Sequence, residues 1–232
     1  MYKYLLVLVL SLALLAGSTT TVMAMDDILI DFNTQAPAPD LGGVWNSITA
    51  PTSSALVDVG GNATGSSVAI ANFNDSGTDQ GEDGGWEKEW VDADAVRDYF
   101  WIKSDDGLIG TVTISGLSDA INYNIELVAS REHGAYDDQR RAYYRVNGEW
   151  ADGLPSDTIW NAVYDGFDQQ GIMVWSDVAV DGNGNIVLEV EPDFADDGFT
   201  GWTNAMRVAE VPEPATMILL GLGGLGLIRR KR

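Results

Sequence analysis

Short apolar runs separated by turn-forming residues are the main pattern between residues 25 and 211. In the run at 109–115, Val112 and Ile114 alternate with two threonines, which is the period of a strand with one buried face. Valine and isoleucine together outnumber leucine 29 to 8 in this region, and β-branched residues favour strands. The pattern predicts ten short strands, at residues 28–33, 55–59, 67–73, 98–103, 109–115, 123–130, 141–146, 172–180, 186–191 and 203–208.

Ten strands without a long helix favour an all-β fold, namely a single β-sandwich or jelly roll. Residues 86–96 are an exception, because apolar side chains at helical spacing make a short helix a second interpretation there. The polar, glycine-rich segment 74–85 is expected to be a surface loop. Asp181–Asn185 begins like an EF-hand calcium loop, but the sixth position is Ile186 and the twelfth is Pro192. A hairpin turn between two strands is the better interpretation of that segment.

The first 24 residues have the three parts of a secretory signal peptide. Lys3 provides the cationic start, residues 4–16 form an apolar run, and small residues precede the predicted cleavage after Ala24. An uncleaved membrane anchor is the alternative, but the apolar run is short for a membrane span of about 20 residues.

The last 21 residues also consist of three parts. Pro212, Glu213 and Pro214 are followed by an apolar, glycine- and leucine-rich stretch at 215–228, and the chain closes with four bases, Arg229, Arg230, Lys231 and Arg232. This order resembles the PEP-CTERM sorting signal of Gram-negative bacteria. The resemblance implies that the apolar stretch is a hydrophobic sorting helix that holds a precursor in the membrane. It also implies that an exosortase, a membrane-embedded cysteine protease, cuts at the motif. An ordinary tail anchor with its bases in the cytoplasm is the alternative.

Charge distinguishes the terminal segments from the rest of the chain. The whole chain has 13 bases and 35 acids, for a net charge of −22. Five of the bases and one acid lie in the terminal segments, so residues 25–211 carry 8 bases, 34 acids and a net charge of −26. This charge argues against nucleic acid, whose phosphates are bound by lysine and arginine. We therefore expect a signal peptide at 1–24, a β-sandwich domain at 25–211 and a sorting signal at 212–232.

The absence of cysteine and the single histidine restrict the chemistry further. They exclude disulfides, thiolate metal sites and multi-histidine metal sites. Oxygen ligands remain, and four acids lie close together in the predicted loop: Asp75, Asp79, Glu82 and Asp83. Ca²⁺ takes 6–8 oxygen ligands from flexible loops, so this group is a candidate calcium site. A solvated acidic loop is the alternative, since the spacing matches no calcium motif.

Four of the eight tryptophans lie in polar, loop-like stretches: Trp86, Trp90, Trp150 and Trp160. An indole face stacks on the C–H face of a sugar while nearby carboxylates and amides bond its hydroxyls, so these four are candidate glycan-binding residues. Packing at the edge of the core is the alternative for each. Trp101 and Trp175 lie within strand patterns and are expected in the core.

The order of several segments is similar to that of secreted galactose-binding-like β-sandwich domains. These segments are I-D-F-N at 30–33, A-L-V-D-V-G-G-N at 55–62, Y-N-I-E-L-V-A-S-R-E at 123–132, Y-Y-R-V-N-G at 143–148 and T-N-A-M-R-V at 203–208. The resemblance implies glycan binding more often than catalysis, and it assigns no site residue.

No catalytic motif is recognisable in the chain, which lacks a G-x-S-x-G nucleophile elbow. A pair of carboxylates at glycosidase spacing is expected by chance among 34 acids. We therefore predict a non-catalytic exported protein at the cell surface or in the extracellular matrix of a Gram-negative bacterium. Its expected partners are an exosortase and an extracellular polysaccharide, which it binds weakly. The alternative is a secreted carbohydrate-active hydrolase or lyase that uses Asp and Glu.

Overall fold

A computed structural model describes residues 27–32, 44–49, 54–77, 90, 99–129, 141–153, 160–161, 172–194 and 200–211. These residues form fifteen strands: β1 (Ile28–Phe32), β2 (Trp45–Ile48), β3 (Ser54–Val57), β4 (Ala63–Ala71), β5 (Asp75–Gly77), β6 (Tyr99–Lys103), β7 (Gly110–Ser115), β8 (Tyr123–Val128), β9 (Arg141–Val146), β10 (Glu149–Trp150), β11 (Trp160–Asn161), β12 (Ile172–Val178), β13 (Asn185–Pro192), β14 (Thr200–Thr203) and β15 (Ala205–Glu210). A short 3-10 turn, Ser104–Asp106, follows β6.

The strands form two large sheets and a smaller third one. Sheet A has the order β12-β8-β15-β1-β2, in which β1 and β2 are parallel and the other neighbours are antiparallel. Sheet B has the order β10-β9-β13-β7-β4-β3, with β11 also paired to β9. Sheet C has the order β14-β6-β5. The predicted all-β sandwich is confirmed.

Sheets A and B contribute the inner faces of the main core. Along β13, Ile186, Leu188 and Val190 are fully buried while the residues between them are half-buried. On sheet A, Ile125 and Leu127 of β8 are equally buried and belong to the same core. Each fully buried aliphatic side chain contributes about 1.5–3 kcal/mol to folding. The alternation predicted from the sequence is therefore the pattern that builds the core.

All ten predicted strands are present in the described residues, with ends that differ by at most four positions. The predicted strand at 203–208 covers the end of β14 and most of β15, because Asn204 separates these two strands. The strands β2, β5, β10 and β11 have two to four residues each and were missed, since so short a run shows no alternation. β5 lies within the segment 74–85, where we expected only a loop. The alternative helix at 86–96 lies outside the described residues except for Trp90.

Asn46 on β2 joins sheet A to sheet B at one edge of the sandwich. Its side-chain Nδ2 donates to the carbonyl of Leu29 in β1 at 2.9 Å and to the carbonyl of Val57 in β3 at 2.8 Å. Its Oδ1 accepts the N–H of Val57 at 2.8 Å. The amide thus satisfies both backbone groups of a residue at the edge of sheet B, and Asn46 itself is only 8% exposed.

The loop between β3 and β4 is closed by an aspartate at its first position. Asp58 Oδ1 accepts the backbone N–H of Gly60 at 2.9 Å and of Asn62 at 2.8 Å. The Asp58 N–H in turn donates to the carbonyl of Asn62 at 2.9 Å. Gly61, at the fourth position, has a φ of 80°, which favours glycine.

The loop between β12 and β13 repeats this Asp-x-x-Gly-Asn arrangement. Asp181 Oδ1 accepts the backbone N–H of Asn183 at 2.8 Å and of Asn185 at 2.9 Å, and Gly184 has a φ of 76°. The Asp181 N–H donates to the carbonyl of Asn185 at 2.8 Å. The carboxylate is thus used within a tight turn rather than in an EF-hand loop. The predicted hairpin is wrong, because β12 pairs with β8 in sheet A while β13 pairs with β7 and β9 in sheet B, so the turn connects the two sheets.

These two loops predict a pH dependence of stability. Donation by the backbone N–H of Asn62 lowers the pKa of Asp58 from its ordinary value of 3.8, and Asn185 does the same for Asp181. A lowered pKa in the folded state stabilises the protein above pH 3.8, and this contribution is lost as the pH falls below that value. The double variant Asp58→Asn/Asp181→Asn, whose amides mimic the protonated acids, should have a lower Tm than the wild type at neutral pH.

Thermal unfolding followed by circular dichroism checks this expectation. The difference in Tm between the wild type and the double variant should shrink as the pH is lowered from about 4 to about 2. A difference that stays constant over that range would mean that the charge of the two carboxylates does not stabilise the loops.

Sheet C is attached to sheet B through a buried hydroxyl and a tight contact. The O–H of Tyr144 donates to the carbonyl of Trp202 at 2.9 Å and accepts the Trp202 N–H at 3.1 Å. Complete burial raises the pKa of Tyr144 above its ordinary value of 10.0. At Gly201, a Cβ atom would lie 2.6 Å from Val190 Cγ1 and 3.0 Å from Ala142 Cβ, so a side chain is excluded there.

Within the described part of the chain, no helix has both the length and the apolar character needed to cross a membrane. The predicted signal peptide at 1–24 and the predicted sorting signal at 212–232 lie outside the described residues. The structure of both segments therefore remains a prediction from the sequence.

Candidate functional site

The hairpin between β9 and β10 places Trp150 on sheet B. Asn147 and Gly148 form its turn with φ values of 49° and 83°, as a type I′ turn requires. The Asn147 side chain holds the turn against its neighbours, because Oδ1 accepts the Val187 N–H at 2.8 Å and Nδ2 donates to the Ala179 carbonyl at 2.9 Å. The position of Trp150 is therefore set by a rigid turn.

Trp150 lies half-buried on the outer face of sheet B, on the side away from the core. The rings of Tyr143 and Trp150 meet edge to face, with centroids 6.0 Å apart and an angle of 73°. The guanidinium carbon of Arg145 lies 5.5 Å from the centroid of the Trp150 ring. We name these three residues, together with Glu189 and Glu191 of β13, the outer patch.

Arg145 connects the aromatic and acidic parts of the outer patch. Its Nε is 3.0 Å from Glu189 Oε2, and a second guanidinium nitrogen is paired with Glu191 Oε2. Burial opposes the charge of Arg145, but the two glutamates outweigh it and raise the pKa of the guanidinium. Each carboxylate has further lone pairs that can accept hydroxyl donors. The outer patch thus presents an aromatic surface beside oriented hydrogen-bond acceptors.

Trp90 lies elsewhere, on the outer face of sheet A. Its Nε1 donates to Glu126 Oε2 at 2.6 Å, and its ring lies 6.4 Å from that of Trp45 at an angle of 31°. Glu126 Oε1 is in turn 2.7 Å from one guanidinium nitrogen of Arg207. The other terminal nitrogen of Arg207 lies 2.7 Å from Asp27 Oδ2. The indole N–H of Trp90 is thus bound within the protein, and Trp90 does not belong to the outer patch.

The other two candidate tryptophans are less fully described. Trp160 lies in β11, where its backbone is opposite Ala142 of β9, and Trp86 lies outside the described residues. Trp90 and Trp150 are therefore the two candidates whose side chains are described, and each lies beside another aromatic ring and charged groups, on different sheets.

The predicted calcium residues lie mostly outside the described part of the chain. Asp75 is in β5, opposite Trp101 in the register with β6, whereas Asp79, Glu82 and Asp83 lie in the segment that is not described. Among the residues that are described, no three acidic or histidine side chains are grouped so that they could hold a metal ion. The calcium site at residues 75–83 remains a prediction.

Trp101 departs from the sequence expectation, whereas Trp175 meets it. Trp175 is 2% exposed, and its Nε1 donates to the Glu149 carbonyl at 3.0 Å. Trp101 is instead half-buried on sheet C, where its ring lies 6.3 Å from that of Trp202 and Lys103 Nζ lies 4.9 Å from its centroid. Lys103 could have indicated this partial exposure of Trp101 in the sequence. Residues two apart on a strand share a face, and a lysine is found on the face near water.

The last strand leads directly to the predicted sorting signal. β15 lies between β8 and β1 and ends at Glu210, opposite Tyr123. The Val211 N–H donates to the Asn122 carbonyl at 2.8 Å, which extends the ladder by one bond. Pro212 follows and has no N–H to donate. All of the predicted processing residues lie outside the described residues: Ala24, Pro212, Glu213, Pro214, Arg229, Arg230, Lys231 and Arg232.

The C-terminal segment matches a known sorting family. Residues 210–232 match the PEP-CTERM protein-sorting motif, which confirms the resemblance seen in the sequence. This motif indicates export and exosortase-dependent processing of a membrane-anchored precursor. The match begins at Glu210, the residue at which β15 ends.

The rest of the chain resembles solved structures in fold alone. The extracellular domains of ANXUR1 and ANXUR2 from Arabidopsis thaliana superpose with TM-scores of 0.51 and 0.52, each at 12% sequence identity. Each alignment covers 82% of this chain and 49% of the plant chain, so the chain spans about half the length of these structures. No curated protein matches the chain in sequence. The chain therefore combines a β-sandwich, in a fold shared with plant extracellular domains, with a C-terminal PEP-CTERM protein-sorting motif.

Proposed function

We propose that this exported protein is a non-catalytic component of the cell surface or extracellular matrix of a Gram-negative bacterium, and that it binds polysaccharide weakly through the outer patch. The observation that carries the proposal is the position of Trp150. A half-buried indole is held by a turn on the outer face of sheet B, beside an edge-to-face tyrosine and an arginine that pairs with two carboxylates.

The chemistry of the outer patch suits a sugar better than an apolar ligand. A pyranose offers C–H groups on one face and hydroxyl groups around its rim, and it therefore needs an aromatic surface with acceptors beside it. Trp150 and Tyr143 supply the aromatic surface, and Glu189 and Glu191 supply the acceptors. Because Arg145 already orients both glutamates, little side-chain entropy is lost on binding.

The same arrangement argues for binding without catalysis. A glycoside hydrolase needs one carboxyl group that donates a proton to the leaving group. Arg145 binds Glu189 and Glu191 together, so neither is positioned as such a donor.

Replacing Trp150 with alanine should abolish retention of the protein on polysaccharide. The reason is that the indole provides most of the apolar contact area of the outer patch, and such an anchor carries about 2 kcal/mol or more of the binding energy, or roughly 30-fold in affinity. The measurement is a pull-down on insoluble polysaccharides and on exopolysaccharide from a producing strain, with and without Ca²⁺.

Phe194→Ala is the matched control, because Phe194 is an aromatic residue that is 42% exposed and lies outside the outer patch. It should be retained like the wild type. Retention of the Trp150→Ala protein at wild-type levels would remove the outer patch as the binding site. Release of reducing sugar by the wild type would instead support the hydrolase alternative.

A further inference from the structure

The outer face of sheet A carries a second group of aromatic and charged side chains. Four adjacent strands, β2, β1, β15 and β8, place four residues in one row across the sheet: Trp45, Leu29, Arg207 and Glu126. Residues opposite one another in a sheet project from the same face. Ile28 and Ile30, on either side of Leu29 in β1, belong to the main core, so the row lies on the face away from it. We name the following residues the sheet A patch: Trp45, Trp90, Arg207, Asp27 and Glu126.

The sheet A patch contains the same kinds of side chain as the outer patch. In the outer patch, an arginine pairs with two glutamates beside an indole and a tyrosine. In the sheet A patch, Arg207 pairs with Asp27 and Glu126, and these three side chains are 20% to 36% exposed. The half-buried indole of Trp90 lies 6.4 Å from the ring of Trp45, measured between centroids. Each outer face of the sandwich therefore combines aromatic rings with carboxylates that an arginine orients.

One hydrogen-bond donor of the sheet A patch is not used within the described protein. Trp45 is 9% exposed, and its Nε1 is buried without an acceptor among the described residues. A buried donor without an acceptor is unfavourable, so such groups are rare in folded proteins. The neighbouring indole differs, because Trp90 Nε1 donates to Glu126 Oε2 at 2.6 Å. The Trp45 N–H is therefore a donor that the hydroxyl group of a ligand can satisfy.

We propose that the sheet A patch is a second, weaker site for the same polysaccharide, and that the protein cross-links two polysaccharide chains. The inference rests on the proposed function, because it requires that the outer patch binds polysaccharide. A sugar hydroxyl accepts the Trp45 N–H, and a C–H face of the sugar packs on Trp90. Trp90 has to shift before the hydroxyl reaches the buried nitrogen, and side-chain shifts are common on binding. The free energy of this shift makes the sheet A patch the weaker site.

The two patches face in opposite directions. Packed sheets lie about 10 Å apart, and each patch lies on the side of its sheet away from the shared core. A chain on one face therefore does not reach the other face, and the two patches bind different chains. Many protein copies on one chain together hold a second chain, although each sheet A patch binds weakly. A single copy is not held by the sheet A patch alone, which agrees with the loss of retention expected for Trp150→Ala.

A two-layer capture assay tests the inference. The exported protein is first retained on immobilised exopolysaccharide from a producing strain, and the same exopolysaccharide is then added in solution with a fluorescent label. The wild type should capture the labelled chains. Trp45→Phe keeps an aromatic ring but removes the N–H, so it should be retained like the wild type while capturing at least about five-fold less label.

Trp90→Phe is the matched control, because it makes the same exchange in the neighbouring ring and removes an N–H that is already bonded to Glu126. Since its ring is no longer held by that bond, this variant should capture at least as much label as the wild type. Equal capture by Trp45→Phe and the wild type would overturn the inference, and so would equal losses in both variants. Thermal unfolding checks that both variants keep the fold.

The wild type alone separates this inference from the proposed function. A wild type that is retained but captures no label would overturn cross-linking and leave the outer patch as the binding site. A wild type that is not retained would refute the proposed function and cross-linking with it. Dimers that join chains through two outer patches would also capture label, but Trp45→Phe would then capture as much as the wild type.

Discussion

Replacing Asn46 with alanine should lower the free energy of unfolding by about 3 kcal/mol, since a buried backbone group left without a partner costs about 1–3 kcal/mol. The Asn46 amide serves the carbonyl of Leu29 and both the carbonyl and the N–H of Val57. All of these groups lie where sheet A meets sheet B, and water does not readily replace the amide at a residue that is 8% exposed. Urea unfolding of the variant and the wild type measures the loss.

Two further variants make this result specific. Asn46→Asp keeps the oxygen that accepts the Val57 N–H but loses both donated bonds, so it should be destabilised as well. Asn122→Ala loses one half-exposed side-chain bond, to Asp177, and should cost less than about 1 kcal/mol. Equal stability of Asn46→Ala and the wild type would show that Asn46 does not connect the two sheets.

Replacing Pro212, Glu213 and Pro214 together with alanine should block conversion of the precursor to the mature protein. The three residues are the part of the sorting motif that stands between the last ladder bond and the apolar stretch. Without them the protease has no recognition sequence, although the apolar stretch can still hold the chain in the membrane. Immunoblotting of membrane and extracellular fractions should show the uncut form in the membrane fraction alone.

Pro37→Ala/Pro39→Ala is a suitable control, because it removes two prolines that also flank a single residue but lie far from the sorting motif in the chain. Its processing should match that of the wild type. Unchanged processing of the Pro212–Pro214 variant would mean that the tail acts as an ordinary membrane anchor rather than as an exosortase substrate.

Much of the fold could be predicted because most strands are long enough to display their period. β7 and β13 show a buried residue at every second position, and both were located to within a residue or two. The Asp-x-x-Gly-Asn turn at 181–185 was also predictable, since the carboxylate and the glycine form it from local bonds alone. Where strands are as short as β10 and β11, only the pairing with β9 defines them, and no local pattern announces it.

The candidate site was harder to predict because tryptophan suits both a core and a surface. Trp175 and Trp101 each lie in a strand, yet one is in the main core and the other lies on the face of sheet C beside Lys103. Trp90 and Trp150 were equivalent in sequence, yet Trp90 is bonded to Glu126 while Trp150 meets Tyr143 and Arg145. These differences depend on which strands become neighbours.

The sequence by itself determined the all-β class, most strand positions, the acidic charge and the PEP-CTERM motif. All of these depend on residues that are close together in the chain, because period, turn chemistry and sorting motifs act over short distances. Only the tertiary structure decided that Arg145 lies between Trp150 and the two glutamates, Glu189 and Glu191, and that Asn46 connects two sheets. Those features arise from contacts between strands that are distant in sequence, and the register of strand pairing is set by the burial of whole sheet faces.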